Sequence, residues 1–389
     1  MMAIASLDAS ASDTGDGTVQ DFDLHGIVGI RLLDATAGDI AKVQRQLGPL
    51  QATLDRDPDI TIRFVDRATT KTVTYAGLNE GGFNEDGFFV LQGRDGVVAK
   101  VLLPFEQIGH DLRISCERAM PMVPDLLAII NLIALTKGVL PLHASAFSFE
   151  GTGVLITGWA KAGKTETLLG CMNQGARYIG DEWVYLTPDG SMLGLPEPIR
   201  LWAWHLEQFP EILHARRRRD RMRLSVWNRA ALSAGRLSRM FPGAGVLRKG
   251  TPVITRQAYL QVPPEELFGA DAMQLKGPLD VVVLVLNHDS PEIVSQPVSP
   301  AEVAGRMAAS LATERTQFME HYDQFRYAFP DRVSDVVERA HETETALLRQ
   351  VLEGRPAAKV LHPYPCDITE LGNAVMQAVR TCMTRHTES

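Results

Sequence analysis

Residues 153–186 read GVLITGWAKAGKTETLLGCMNQGARYIGDEWVYL. An apolar strand pattern, GVLIT, runs into Gly158-Trp159-Ala160-Lys161-Ala162-Gly163-Lys164-Thr165, and a helical pattern, TETLLGCMNQG, follows. The eight central residues fit G-x-x-x-x-G-K-[ST] in full. A triphosphate packs several negative charges into a small volume. Successive backbone N–H groups at a helix N-terminus meet it with donors and a favourable dipole. The glycines let the backbone come close. In this reading Lys164 reaches the terminal phosphates and Thr165 gives its hydroxyl to Mg2+. A strand before and a helix after are the context that a phosphate-binding P-loop requires.

Downstream, Asp181-Glu182 follows the apolar segment ARYIG and precedes another, WVYL. Acids at the end of a neighbouring strand are what a P-loop enzyme needs for Mg2+ and for a general base. Two surface acids in a turn are the plainer reading, and the apolar flanks on both sides weigh against it.

The rest of the chain bounds the answer. Its 389 residues are 45% hydrophobic and 22% charged, the usage of a globular protein of one large domain or two ordinary ones. A formal charge of −8, from 47 acidic and 39 basic residues, disfavours indiscriminate nucleic-acid binding. Cys116, Cys171, Cys366 and Cys382 are scattered and form no CxxC pair. They support no zinc ribbon and suit a reducing cytoplasm. Residues 1–20 are acidic and small, the composition of a disordered tail without the marks of a signal peptide. The longest apolar stretch, 122–142, is interrupted by Asp125, Asn131 and Lys137, which reads as a buried helix and not a membrane span.

From residue 22 to 101 the segments LHGIVGIRLL, ITIRFV, KTVTYAG, GFFVLQ and VVAKVLLPF predict strands, with a helix over 37–50. Asp125 is positioned to cap the apolar helix. HASAFSFE predicts the strand before the P-loop, and DVVVLVLN a central strand buried on both faces. Ser299-Pro-Ala-Glu302 predicts a capped helix to 314, and further helices are expected over 332–353 and 368–383. Residues 205–247 carry Arg216-Arg217-Arg218-Arg219 and read as a basic helical insert. The arginines can dock an acidic substrate, or simply form a solvated helix face.

The run Leu142-His143-Ala-Ser-Ala-Phe, then GVLITG, GKTET and RYIGDEWVYL, resembles the catalytic domain of HPr kinase/phosphorylase. It is similar more broadly to the HPr-kinase-like kinases, whose P-loop core is related to phosphoenolpyruvate carboxykinase. The likeness is close over 138–200, thinner to 314 and absent before 120. It implies an α/β fold with a P-loop kinase core of that type over 121–389; the strand and helix pattern of 22–101 makes 21–120 a small α+β N-terminal domain in front of it. The likeness also implies that Gly158 to Thr165 and Glu166 bind the nucleotide, Glu166 matching the acid of the family pattern GKSE. Asp181-Glu182 stands where the family has Asp-Asp, the source of the base and of metal contacts. His143 matches an active-site histidine, and Arg200 a polar position after the acidic pair. Trp159-Ala160-Lys161 replaces the usual Asp-Ser-Gly, and Thr165 replaces Ser. The signature that follows in true HPr kinases is missing, so neither HPr as substrate nor the phosphorylase reaction is implied.

These readings converge on an ATP- and Mg2+-dependent kinase acting on a hydroxyl, most naturally a Ser or Thr of a peptide or protein. One acid of Asp181-Glu182 is the base, His143 and Lys164 assist, and Thr165, Asp181 and Glu182 contact the metal. Arg200, Arg216 and Arg217 are candidates for substrate contact. A small-molecule hydroxyl kinase and a nucleotide-binding regulatory protein with little transfer are the alternatives. No nucleic-acid or membrane partner is expected, and homo-oligomerisation stays open.

Overall fold

A computed structural model describes residues 18–77, 80–94, 97–209 and 259–387. Residues 1–17 of the expected tail and most of the basic insert, Arg216 and Arg217 included, lie outside the described residues.

The first sheet is built from β1 (Thr18–Leu24), β2 (Val28–Ala35), β3 (Gln51–Ala52), β4 (Ile60–Val65), β5 (Thr74–Gly77), β6 (Gly81–Asn84), β7 (Gly87–Arg94), β8 (Val97–Leu102) and β9 (Leu112–Glu117). Their order is β3-β1-β2-β4-β9-β8-β7-β6-β5, with β2, β4 and β9 parallel. Helix α1 (Ala37–Leu47) starts at a capping box between Thr36 and Asp39. Two expectations change here. Thr18–Gln20 belong to a strand and not to the tail. LHGIVGIRLL is a hairpin and not one strand, because His25 and Gly26 take positive φ (50° and 76°) and turn the chain.

Helix α2 (Leu126–Thr136) links to the second sheet. That sheet holds β10 (Leu140–Phe149), β11 (Thr152–Thr157), β12 (Arg177–Gly180), β13 (Trp183–Leu186) and β14 (Ser191–Gly194). Strands β15 (Ile199–Trp202) and β16 (Tyr259–Val262) form a separate ribbon. The sheet is completed by β17 (Lys276–Pro278), β18 (Val281–Asn287), β19 (Val294–Pro297) and β20 (Ala357–His362). The order is β17-β14-β13-β10-β11-β18-β20-β19, with β12 also on β10. The remaining helices are α3 (Lys164–Met172), α4 (Ala203–Gln208), α5 (Pro264–Phe268), α6 (Pro300–Glu314), α7 (Thr316–Ala328), α8 (Asp335–Glu338), α9 (Ala340–Leu352) and α10 (Ile368–Thr387). The fold is mixed α/β.

Alternation explains the layers. Val154 and Ile156 of β11, with Val281, Val283 and Val285 of β18, face one cluster that includes Leu168 of α3 and Leu371 of α10. Leu155, Val282 and Leu284 face the other cluster, with Ile130 of α2, Met307 of α6 and Leu348 of α9. A strand covered on both faces has no solvent side to make polar, so VVVLVL is apolar throughout. The second cluster continues without a break into Ile30, Ile62, Phe88 and Phe105 of the N-terminal region.

Helix α7 falls where the sequence pattern above assigns no element. The helix expected over 332–353 is split into α8 and α9. Among the described residues, no helix is long and apolar enough to cross a membrane.

Candidate active site

At Thr157 β11 ends, and residues 158–163 lead into α3. Strands β18 and β20 run parallel to β11. The loop therefore sits at the carboxyl ends of three parallel strands, the crevice where open α/β sheets bind ligands. The loop is fixed by the ends of its neighbours. Asn287 Nδ2, closing β18, donates to Lys161 O at 2.8 Å. His362, closing β20 and fully buried, places Nε2 2.8 Å from Ala162 O. Gly163 has φ 100°, and a Cβ there would fall 2.4 Å from His362 Nε2, so both backbone and space demand glycine.

Lys164 is buried, and its ammonium donates to Gly158 O and Trp159 O, each at 3.1 Å. Burial lowers its pKa, against the pull of Glu182, Asp181, Glu314 and Glu166. An ammonium resting on loop carbonyls is a donor that an entering anion can capture.

The acidic pair owes its place to strand pairing. The later half of β10 pairs with β12 (Ala146 opposite Gly180), and its first half with β13 (His143 opposite Trp183). Asp181-Glu182 is the step between the two partners. Glu182 takes φ 66°, and its carbonyl accepts from Ala144 N at 3.1 Å. The apolar flanks noted in the sequence are the two half-strands that clamp this step to the sheet.

Asp181 is 2% exposed and accepts from the hydroxyls of Ser145 and Thr165, the latter at 3.0 Å. That contact ties the start of α3 to the acidic pair. Glu182 Oε2 lies 3.0 Å from His143 Nε2, and His143 Nδ1 lies 2.5 Å from Glu314 Oε1 at the end of α6. Burial works against a charged His143, but its two carboxylate partners outweigh it and raise its pKa. Burial and the neighbouring Glu182 charge push Asp181 up. Glu182 is held down: burial opposes the charge, and His143, Arg200 and Lys164 overcome that opposition. Two adjacent carboxyls with opposite shifts are suited to different chemical tasks.

No family model matches the chain, and no curated protein matches its sequence. Among solved structures it is similar to the HPr(Ser) kinase/phosphatase from Coxiella burnetii, at 13% identity over 64% of this chain and 93% of that one. The TM-score is 0.26. This is a distant structural relationship at most.

The other residues singled out in the sequence are placed as follows. Trp159, Ala160 and Lys161 are exposed on the loop. Glu166 is buried in the first turn of α3, 3.1 Å from His205 Nε2. His205 Nδ1 accepts from Trp202 N, which leaves the proton on Nε2 to be donated to Glu166. Arg200 is exposed on β15, and its charge favours ionisation of both Glu182 and Glu197.

Ser145, Glu197 and Glu314 are site residues that the sequence reading missed. Ser145 was within reach of it, two positions after His143 and so on the same strand face. Glu197 has its Oε1 buried without a hydrogen-bond partner. Burial, then repulsion from Glu182 and Asp181, raises its pKa well above the usual carboxylate range. Glu314 carries no local signal, because only the fold brings the end of α6 to β10.

The residues present fit a magnesium-bound triphosphate. Lys164 brings an ammonium to the loop, and the Thr165 hydroxyl donates to the Asp181 carboxylate. Among the described residues, no three or more His, Cys, Asp or Glu side chains are grouped to hold a metal unaided. Mg2+ commonly takes only one or two protein carboxylates and completes its shell with phosphate oxygens and water, so this donor set suits it.

Proposed function

We propose that the protein is an ATP- and Mg2+-dependent kinase, on a P-loop core of HPr-kinase type, that phosphorylates a hydroxyl of a peptide or protein Ser or Thr. The observation that carries this reading is the Thr165–Asp181 hydrogen bond, which joins a complete G-x-x-x-x-G-K-T loop to the buried first member of the acidic pair. Lys164 and the loop amides hold the phosphates. Thr165 and a carboxylate of the pair would hold magnesium, which when bound neutralises charge on the transferred group. One acid of the pair accepts the acceptor's hydroxyl proton, and Asp181, bonded to Thr165, is the one tested below. Glu182, kept ionised by His143, orients that imidazole at the reacting end. Phosphoryl transfer asks mainly for positioning and charge stabilisation, and these groups supply both.

Lys164→Ala should abolish MgATP turnover while the circular dichroism spectrum stays native. Retained turnover in a folded K164A protein sinks the proposal. Asp181→Asn should keep nucleotide affinity within a few-fold and lose transfer by about 10²-fold or more, the usual worth of a general base. Equal loss of binding and transfer would make Asp181 a structural or metal residue only. Labelled ATP with peptide pools set against metabolite pools distinguishes a peptide acceptor from a small molecule.

A further inference from the structure

The loop has two flanks. Asp181 and Glu182 stand on the β10 side. On the other side, β20 leaves the sheet at His362, which holds Ala162 O. Two residues on, Tyr364 is 55% exposed. Its ring meets that of Trp204 edge to face, with centroids 5.6 Å apart and planes at 84°. Trp204 packs on His205 at 4.1 Å, and His205 bonds Glu166 in the first turn of α3. Gln208 pins α4 to the same corner with both ends of its amide. Its Nε2 donates to Cys366 O at 3.0 Å, and its Oε1 accepts from Ile368 N at 2.8 Å.

An exposed tyrosine by itself needs no explanation. This one is tied to the loop from two directions, through His362 and through Trp204–His205–Glu166. The Tyr364 hydroxyl registers the closeness: partial burial raises its pKa, and the Glu166 carboxylate raises it further. A triphosphate whose terminal phosphate met Thr165 and Asp181 would have its other end on the flank of the loop away from the acids. Tyr364 and Trp204 are the rings joined to that flank.

We infer that Tyr364, backed by Trp204, is a stacking platform for a planar nucleobase, which makes the phosphoryl donor a nucleoside triphosphate and not an inorganic polyphosphate. The inference rests on the kinase reading above. A ring fixed edge to face by a neighbour offers its own face at little entropic cost. Removing such a platform typically weakens base binding about ten- to hundredfold.

The test is calorimetric titration of the full chain with MgATP and, separately, with magnesium tripolyphosphate. The wild type should bind MgATP about tenfold or more tightly than tripolyphosphate. Tyr364→Ala should erase that margin and leave tripolyphosphate affinity unchanged, while Tyr364→Phe keeps it. A margin that survives Y364A overturns the inference. So does a margin lost in Trp159→Ala and not in Y364A, since Trp159 is the other exposed ring at the loop, 47% exposed. Wild type that binds neither ligand sinks the kinase reading itself, a result distinct from either of these.

Discussion

Asp125 precedes α2 with φ 57°, and its carboxylate makes no capping bond. It accepts instead from His321 on α7: Oδ2 lies 2.7 Å from Nδ1, with the side chains 5% and 16% exposed. A residue of cap type at a helix start was spent on a tertiary contact. Burial lowers the pKa of His321, but Asp125, helped by Glu320 and Glu80, outweighs it and raises the value above the ordinary one. The folded state therefore binds this proton more tightly than the unfolded chain does. The stabilisation is full below about pH 6.5, the unfolded value, and is lost as pH rises through the folded pKa. His321→Gln should cost about 1.5–3 kcal/mol at pH 6, the worth of a charge-assisted hydrogen bond. That cost should shrink steadily toward pH 9 in urea titrations. A cost independent of pH would show that His321 stays neutral. His143, between Glu182 and Glu314, is held by the same physics with two carboxylates in place of one.

Between elements, α3 and α10 approach through glycines. A Cβ on Gly170 would fall 2.3 Å from Ile368 O and 3.0 Å from Gly372 Cα. Backbone cannot yield as a flexible side chain does. Gly170→Ala should therefore destabilise the protein by about 1–3 kcal/mol, overpacking exceeding the gain in helix propensity of at most about 1 kcal/mol. Gly305 in α6 is exposed, and a methyl group there would meet nothing within 4 Å. Gly305→Ala should stabilise by about 0.5–1 kcal/mol. Melting temperatures that move in the same direction for both would refute the packing argument. The contrast also shows what a sequence exposes. The loop at 158–165 was legible because its determinants are consecutive, and VVVLVL because burial on both faces leaves a continuous apolar run. Phe318, Tyr322 and Phe325 of α7 follow a helical spacing with polar residues on the other faces, an amphipathic pattern that was legible and that the reading above passed over. Asn287 and His362 reach the loop only through the parallel order β11-β18-β20, and Glu314 reaches His143 only because α6 packs on β10; nothing in the local chain announces either. Arg216 and Arg217 lie outside the described residues, so the basic insert keeps only its sequence reading.

At the scale of the molecule, residue 121 lies between β9 and α2, yet the core does not stop there. Phe105, fully buried, has ring centroids 5.7 Å from Phe88, 5.5 Å from Phe318, 5.5 Å from Tyr322 and 5.1 Å from Phe325. An aromatic from the N-terminal region thus packs into a cage whose other walls come mostly from α7, which follows the helix that carries Glu314. Truncating such a ring removes its transfer free energy and leaves a cavity, about 3–5 kcal/mol in all. Of the five tryptophans, Trp159, Trp183, Trp202 and Trp204 lie in or beside the second sheet and its ribbon, and Trp227 lies outside the described residues. The fluorescence of those four reports on that region, not on the site of the substitution. If the two sheets share one cooperative core, Phe105→Ala lowers the denaturation midpoint seen by tryptophan fluorescence as much as that seen by far-UV circular dichroism, in a single transition. If they were independent bodies, the tryptophan transition would stay where it is in the wild type and the dichroism curve would split in two. The shared cage predicts coincident, shifted curves. It predicts further that F105A weakens the proposed MgATP binding only as far as the folded fraction falls, because no atom of Phe105 belongs to the loop or to the acidic pair.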